Sequence, residues 1–74
     1  METFKIIYKG ETFEEQGTDF ENAVEKWAES YDTESEYELT KNLNSDVICI
    51  NSKGIEREID LCAESIIQYS AYEK

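Results

Sequence analysis

Seventy-four residues, 39% of them hydrophobic, make a single domain at 1–74 and leave no room for a second. A net charge of -11, from 18 acidic and 7 basic residues with no histidine, excludes the basic surface that a direct nucleic-acid binder presents. Such charge leans toward disorder, but nine aromatics, eight isoleucines and no proline supply the bulky apolar surface of a folded core.

In chain order, Phe4, Ile6 and Tyr8 alternate with Lys5 and Ile7, the period-two pattern of a strand, and Lys9-Gly10 predicts a tight turn. Glu11 to Gln16 then returns as a second strand, with Thr12 or Phe13 facing inward. Gly17 breaks that pattern. Thr18-Asp19-Phe20-Glu21 reads as a capping box, in which the Thr18 hydroxyl and the Glu21 carboxylate satisfy each other's free amides. From there Phe20, Ala23, Val24, Trp27, Ala28 and Tyr31 recur every three or four residues, the apolar stripe of an amphipathic helix.

Beyond Tyr31 the helical pattern lapses, and Tyr37 and Leu39 alternate with Glu36, Glu38 and Thr40, which predicts a short half-exposed strand. Lys41 to Ser45 reads as a loop. Val47-Ile48-Cys49-Ile50 is apolar on both faces, as in a central strand, and Asn51-Ser52-Lys53-Gly54 turns the chain into a return strand carrying Ile55, Ile59 and Leu61. Glu56, Glu58 and Asp60 point to the opposite face there, and Arg57 interrupts the apolar one. In the tail, Cys62, Ile66 and Tyr69 fit a helix, whereas Ile67, Tyr69 and Ala71 alternate; the strand is the preferred reading. The fold class expected is α+β: a small antiparallel sheet with one amphipathic helix packed on one face. The other face is left short of cover, where a partner or a second copy of the chain, giving a homodimer, could sit.

The chain lacks the signatures of catalysis. Without histidine a general base must be a carboxylate, and no carboxylate is set apart from the others. Cys49 lies in an apolar strand away from clustered cations, so it is no candidate nucleophile. Cys49 and Cys62 are read as reduced thiols, since two cysteines without histidine do not complete a four-ligand zinc site. Asn42, Asn44 and Asp46 alternate as calcium-loop ligands do, but the loop glycine and the closing glutamate are missing. Neither an enzyme nor a bound metal or cofactor is expected. No apolar run approaches the ~18 residues that cross a bilayer, and METFKIIYKG lacks the core of a signal peptide. The expected setting is cytoplasmic, in a host cell, with no membrane partner.

The feature that remains is the distribution of charge. Glu11 to Glu38 holds eleven acidic residues and one lysine, a net of -10, which leaves -1 of the total -11 for the rest of the chain. Glu21, Glu25, Glu29 and Asp32 are spaced by four, four and three residues and are expected to form a solvent-facing stripe opposite the aromatic one. Like charges four apart cost a helix about 0.2–0.5 kcal/mol per pair, so local stability does not account for the arrangement. Successive carboxylates on that stripe stand ~6 Å apart along the axis. Glu34, Glu36 and Glu38 on a strand would stand ~6.6 Å apart. Both intervals are close to the spacing of phosphates along a nucleic-acid strand.

In size, acidity and strand-and-helix layout, the chain resembles the small, acidic, phage-encoded anti-CRISPR inhibitors and other phage DNA mimics. That resemblance implies a non-catalytic inhibitor whose partner is a basic nucleic-acid-binding protein or ribonucleoprotein effector, and whose acidic surface blocks the partner's DNA- or RNA-binding groove. The expected partner-binding residues are Glu21, Glu25, Glu29, Asp32, Glu34, Glu36 and Glu38, with Tyr31 and Tyr37 as aromatic anchors at the edge. The rival reading is a structural or assembly module that uses the open sheet face, its acidity serving solubility.

Overall fold

A computed structural model describes residues 1–42, 44–65 and 68–74, with the side chains of residues 40, 42, 65 and 68 left out of the description. Five strands, β1 (Glu2–Tyr8), β2 (Glu11–Gly17), β3 (Asn44–Ile50), β4 (Glu56–Ser65) and β5 (Gln68–Glu73), form one antiparallel sheet in the order β2-β1-β3-β4-β5. Helix α1 (Phe20–Glu34) and a short second helix, α2 (Glu38–Asn42), connect β2 to β3. β2 and β3 both run antiparallel to the intervening β1, so they are parallel to each other. A hairpin cannot join parallel strands, and the helical crossover does so.

The β1–β2 turn is Lys9-Gly10, both at positive φ (50° and 80°), as the twist of a two-residue hairpin requires. Cross-strand partners share a face. Phe13 lies opposite Ile6 and turns inward, which settles the Thr12-or-Phe13 alternative. In the β3–β4 turn, Asn51 Oδ1 accepts from the backbone N–H groups of Lys53 and Ile55 at 3.0 and 2.9 Å, and Gly54 supplies φ +83°. Ile55 ends 41% exposed rather than in the core.

The helix covers one sheet face. Phe4, Ile6 and Tyr8 of β1, Val47 and Cys49 of β3, and Ile59 and Leu61 of β4 bury against Ala23, Val24, Trp27 and Ala28. Phe13, Phe20 and Tyr31 are partly buried around them, with edge-on ring contacts 5.4 Å apart between Phe4 and Phe20 and between Tyr8 and Tyr31. Ala23 and Ala28 are small enough to let the helix settle onto the strands. Gly17 has the same role from below, since a Cβ there would lie 2.8 Å from the backbone of Ala23. Arg57, which interrupts the apolar pattern, lies over the Phe20 ring at 5.7 Å and pairs with Glu73 at 2.9 Å.

Three expectations about the fold are corrected. The helix N-cap is Asp19, not Thr18: its carboxylate accepts from Asn22 N–H at 2.7 Å, and Asn22 Oδ1 accepts from Thr18 N–H at 3.0 Å. The box is therefore closed by Asn22 instead of Glu21, one residue further along. The strand expected at Tyr37–Leu39 is absent. Instead α1 continues to Glu34 and ends in a Schellman-type turn, with Tyr37 N–H donating to Asp32 C=O at 2.7 Å and Glu36 and Tyr37 in left-handed conformation (φ 58° and 66°). The loop placed at Lys41–Ser45 is taken by the end of α2 and the start of β3, apart from residue 43, which lies outside the described residues. The tail forms β4 and β5, in line with the preferred strand reading, although Ile66 and Ile67 lie outside the described residues. Among the described residues no helix is long and apolar enough to cross a membrane.

Candidate acidic interface

The acidic segment wraps one end and one edge of the molecule. Glu11 and Glu14 stand exposed on edge strand β2, Glu29 and Glu34 on α1, and Glu36 on the turn that follows. Glu15, Glu21, Glu25 and Glu38 are half-buried. In this segment, among the described residues, Glu38 forms the ion pair, with Lys9. Lys74 and Arg57 pair with carboxylates outside it, Lys74 with Asp46 (2.8 Å) and Arg57 with Glu73.

Asp32 does not belong to that surface. It is fully buried, Oδ1 accepting from Leu39 N–H at 2.8 Å and Oδ2 from the Tyr69 hydroxyl. The reason is angular. Asp32 follows the buried Ala28 by four residues, about 40° further round the helix, and so lies over β5 rather than away from the sheet. Glu25 shares this flank, and its Oε2 accepts from Ala71 N–H of β5 at 3.1 Å. The expected stripe of Glu21, Glu25, Glu29 and Asp32 therefore divides: Glu29 faces solvent, Glu21 and Glu25 lean along the β5 side, and Asp32 is structural. The outermost helix positions carry Asn22, Lys26 and Thr33 beside Glu29.

Glu34, Glu36 and Glu38 are likewise not alternate residues of a strand. Glu34 ends α1, Glu36 lies in the turn and Glu38 opens α2, so their spacing is set by the turn. Glu38 accepts from the Tyr31 hydroxyl at 2.8 Å as well as pairing with Lys9. Those two hydrogen bonds, from Lys9 first and Tyr31 second, hold its carboxyl below the usual range. The same bond to Glu38 pushes the Tyr31 phenol up to about 12 and, from the other side, raises the Lys9 ammonium. Tyr31 is thus a half-buried member of the aromatic cluster, whereas Tyr37 is 38% exposed beside the acidic end.

No family model matches the chain, and neither a curated protein nor a solved structure is significantly similar to it.

Cys49 is buried under the helix on one sheet face, and burial pushes its thiol up to about 12. Cys62 lies opposite Asn44 on the other face, its Sγ 3.1 Å from Asn44 Oδ1. The sheet separates them, and both are free thiols. Among the described residues no group of three or more metal-ligating side chains converges, and Asn44 and Asp46 are positions on β3.

The uncovered sheet face carries Ile7, Ile48 and Ile50, each half-buried, between Lys5, Glu14, Glu56 and Glu58. The apolar stripe is narrow and bounded by charge on both sides. Sequence reasoning missed the role of Asp32, because a carboxylate four residues after Glu25 and three after Glu29 looks like its neighbours. The available signal was Ala28, which widens the buried sector toward it.

Proposed function

We propose that the protein is a non-catalytic inhibitor that docks on a basic groove of a nucleic-acid-handling protein and competes with DNA or RNA for it, in the manner of the anti-CRISPR and DNA-mimic proteins it resembles. One observation supports this reading above the others: of the eleven carboxylates from Glu11 to Glu38, six are exposed and four half-buried, and among the described residues Glu38 has the ion pair. Unneutralised surface charge on a folded scaffold attracts a Lys/Arg-rich groove at long range and gains from counterion release, as phosphates do. With Asp32 in the core, the carboxylates left to do this are Glu11, Glu14, Glu29, Glu34 and Glu36, which are exposed, with Glu21 half-buried on the β5 side. Its natural setting on this reading is the cytoplasm of a host cell.

The test is capture from host lysate on immobilised protein, eluted over a salt gradient. Release between roughly 50 and 200 mM salt, as for ~6 or more phosphate-like contacts, together with displacement by duplex DNA, is the expected result. The triple reversal Glu21→Lys, Glu29→Lys, Glu36→Lys should abolish capture while the chain stays folded. A partner that survives high salt and tolerates the reversal would favour docking through Ile7, Ile48 and Ile50 instead.

A further inference from the structure

Edge strand β2 and helix α1 leave between them a cleft of about 180 Å³. Its walls are the rings of Phe13, Trp27 and Tyr31, with centroids 5.0–5.4 Å apart, and its rim includes Glu15 and Glu34. Phe13 and Tyr31 are only partly covered, so two of the three rings present surface to whatever enters. The charged residues that line the cleft are all anions. Glu11 stands on the same face of β2 as Phe13 and Glu15. Lys9 of the β1–β2 turn is tied to Glu38, and Lys26 of α1 lies on a neighbouring groove with Glu14 and Glu15 without lining the cleft.

Aromatic faces attract cations through the ring quadrupole when the charge lies within ~6 Å of the centroid, and carboxylates at the rim satisfy the donors of the same group. We infer that this cleft receives the guanidinium of an arginine presented by a basic partner protein. The inference rests on the proposed inhibitory reading and adds to it a point of anchorage. Arginine is favoured over lysine because a planar, weakly hydrated guanidinium stacks on rings and meets a carboxylate with two parallel hydrogen bonds, whereas an ammonium does neither. The cleft suits one long side chain. The shared acidity of its rim disfavours phosphate and nucleobase ligands, and the general acidic surface would deliver the partner to it.

Trp27 is the single tryptophan, so its fluorescence reports the cleft directly. The probe is an octa-arginine peptide titrated at physiological salt, with octa-lysine as comparison. Octa-arginine should change Trp27 emission saturably and bind several-fold more tightly than octa-lysine. Phe13→Leu, which keeps apolar bulk and removes the ring, should weaken octa-arginine about tenfold. The pair Glu15→Gln with Glu34→Gln should do the same, and circular dichroism checks that each variant is folded. Glu56→Gln with Glu58→Gln, on the open sheet face, removes equal charge and should leave binding within twofold. Unchanged affinity in Phe13→Leu, or equal loss from the two glutamate pairs, would overturn the inference in favour of diffuse attraction. So would an apolar peptide that fills the cleft as well as octa-arginine does. The two readings fail separately, because none of Glu21, Glu29 and Glu36 lines the cleft. A triple reversal that abolishes salt-sensitive capture while Phe13→Leu binds octa-arginine normally sinks the cleft alone. Tenfold weakening by Phe13→Leu with capture untouched by the reversal sinks mimicry alone.

Discussion

Removing the Asp32 carboxylate should be among the most damaging single changes that leave every apolar side chain in place. Asp32→Ala takes away the acceptor of Leu39 N–H, which is closed to water, and of the half-buried Tyr69 hydroxyl. Hydrogen bonds to a charged group contribute about 1.5–3 kcal/mol each, and a buried donor left without a partner costs about 1–3 kcal/mol. Together these give roughly 3–5 kcal/mol, a large share of the about 5–15 kcal/mol that holds a domain folded. At about 4–8 °C per kcal/mol for a chain of this size, the melting point should fall by at least ~12 °C. The assay is urea denaturation of wild type, Asp32→Ala, Tyr69→Phe and the double variant. Coupling within the cycle should be about 1–2 kcal/mol, since the hydroxyl and the carboxylate lose their value together. Glu29→Ala, one turn away and exposed, should fall within ±0.5 kcal/mol. If Asp32→Ala costs less than about 1 kcal/mol, or the cycle is additive, Asp32 does not tie α1 to α2 and β5 as described.

Trp27→Ala should cost about 3–5 kcal/mol and leave at most a small folded population, measured by the same denaturation. Glu36→Gly should raise stability by about 0.5–1 kcal/mol, because Glu36 closes the Schellman turn at φ 58°, where glycine carries no Cβ penalty; a loss of stability would show that its side chain has a role in the fold. Ellman's reagent should modify Cys62 in the native protein and Cys49 after unfolding, as expected of a half-exposed thiol and one buried beneath the helix. In phenolate absorbance, Tyr31 should titrate near 12. A folded-state pKa above the unfolded one stabilises the protein fully below pH ~10, and that contribution is lost as pH rises toward 12. Tyr31→Phe should remove this alkaline component.

The parts of the fold that were legible in the sequence are those where one physical demand dominates. Alternation at Phe4, Ile6 and Tyr8 gives β1, the three-four spacing from Phe20 to Tyr31 gives α1, and Val47 to Ile50 followed by Asn51-Ser52-Lys53-Gly54 gives the β3–β4 hairpin. The cap slipped by one residue because Thr18 and Asp19 are both good caps, and it is the Asp19 carboxylate that accepts from Asn22 N–H. Residues 34 to 42 were opaque for another reason. A helix that ends on left-handed Glu36 and Tyr37 carries no glycine to announce it, and the alternation Glu36, Tyr37, Glu38, Leu39 imitates a strand. The candidate site was legible as net charge and not as geometry. The aromatic cleft joins Phe13 to Trp27 and Tyr31 across the sheet edge, a juxtaposition visible only once β2 is seated beside the helix.

The sheet also has a seam. β1 and β2 are paired from end to end, and β3 is paired along its whole length with β4, but β1 meets β3 through Lys5, Ile6 and Ile7 against Ile50, Cys49 and Ile48. Each side of this seam is assembled from neighbours along the chain, which come together quickly, while the join between them must wait for the whole α1–α2 segment to loop round. Helix α1 packs against β2 at one margin and β5 at the other, and so acts as a clasp over the join. A partner gripping α1 and β2 would tighten that clasp, and the protein's lifetime against unfolding would then be set in part by what it holds.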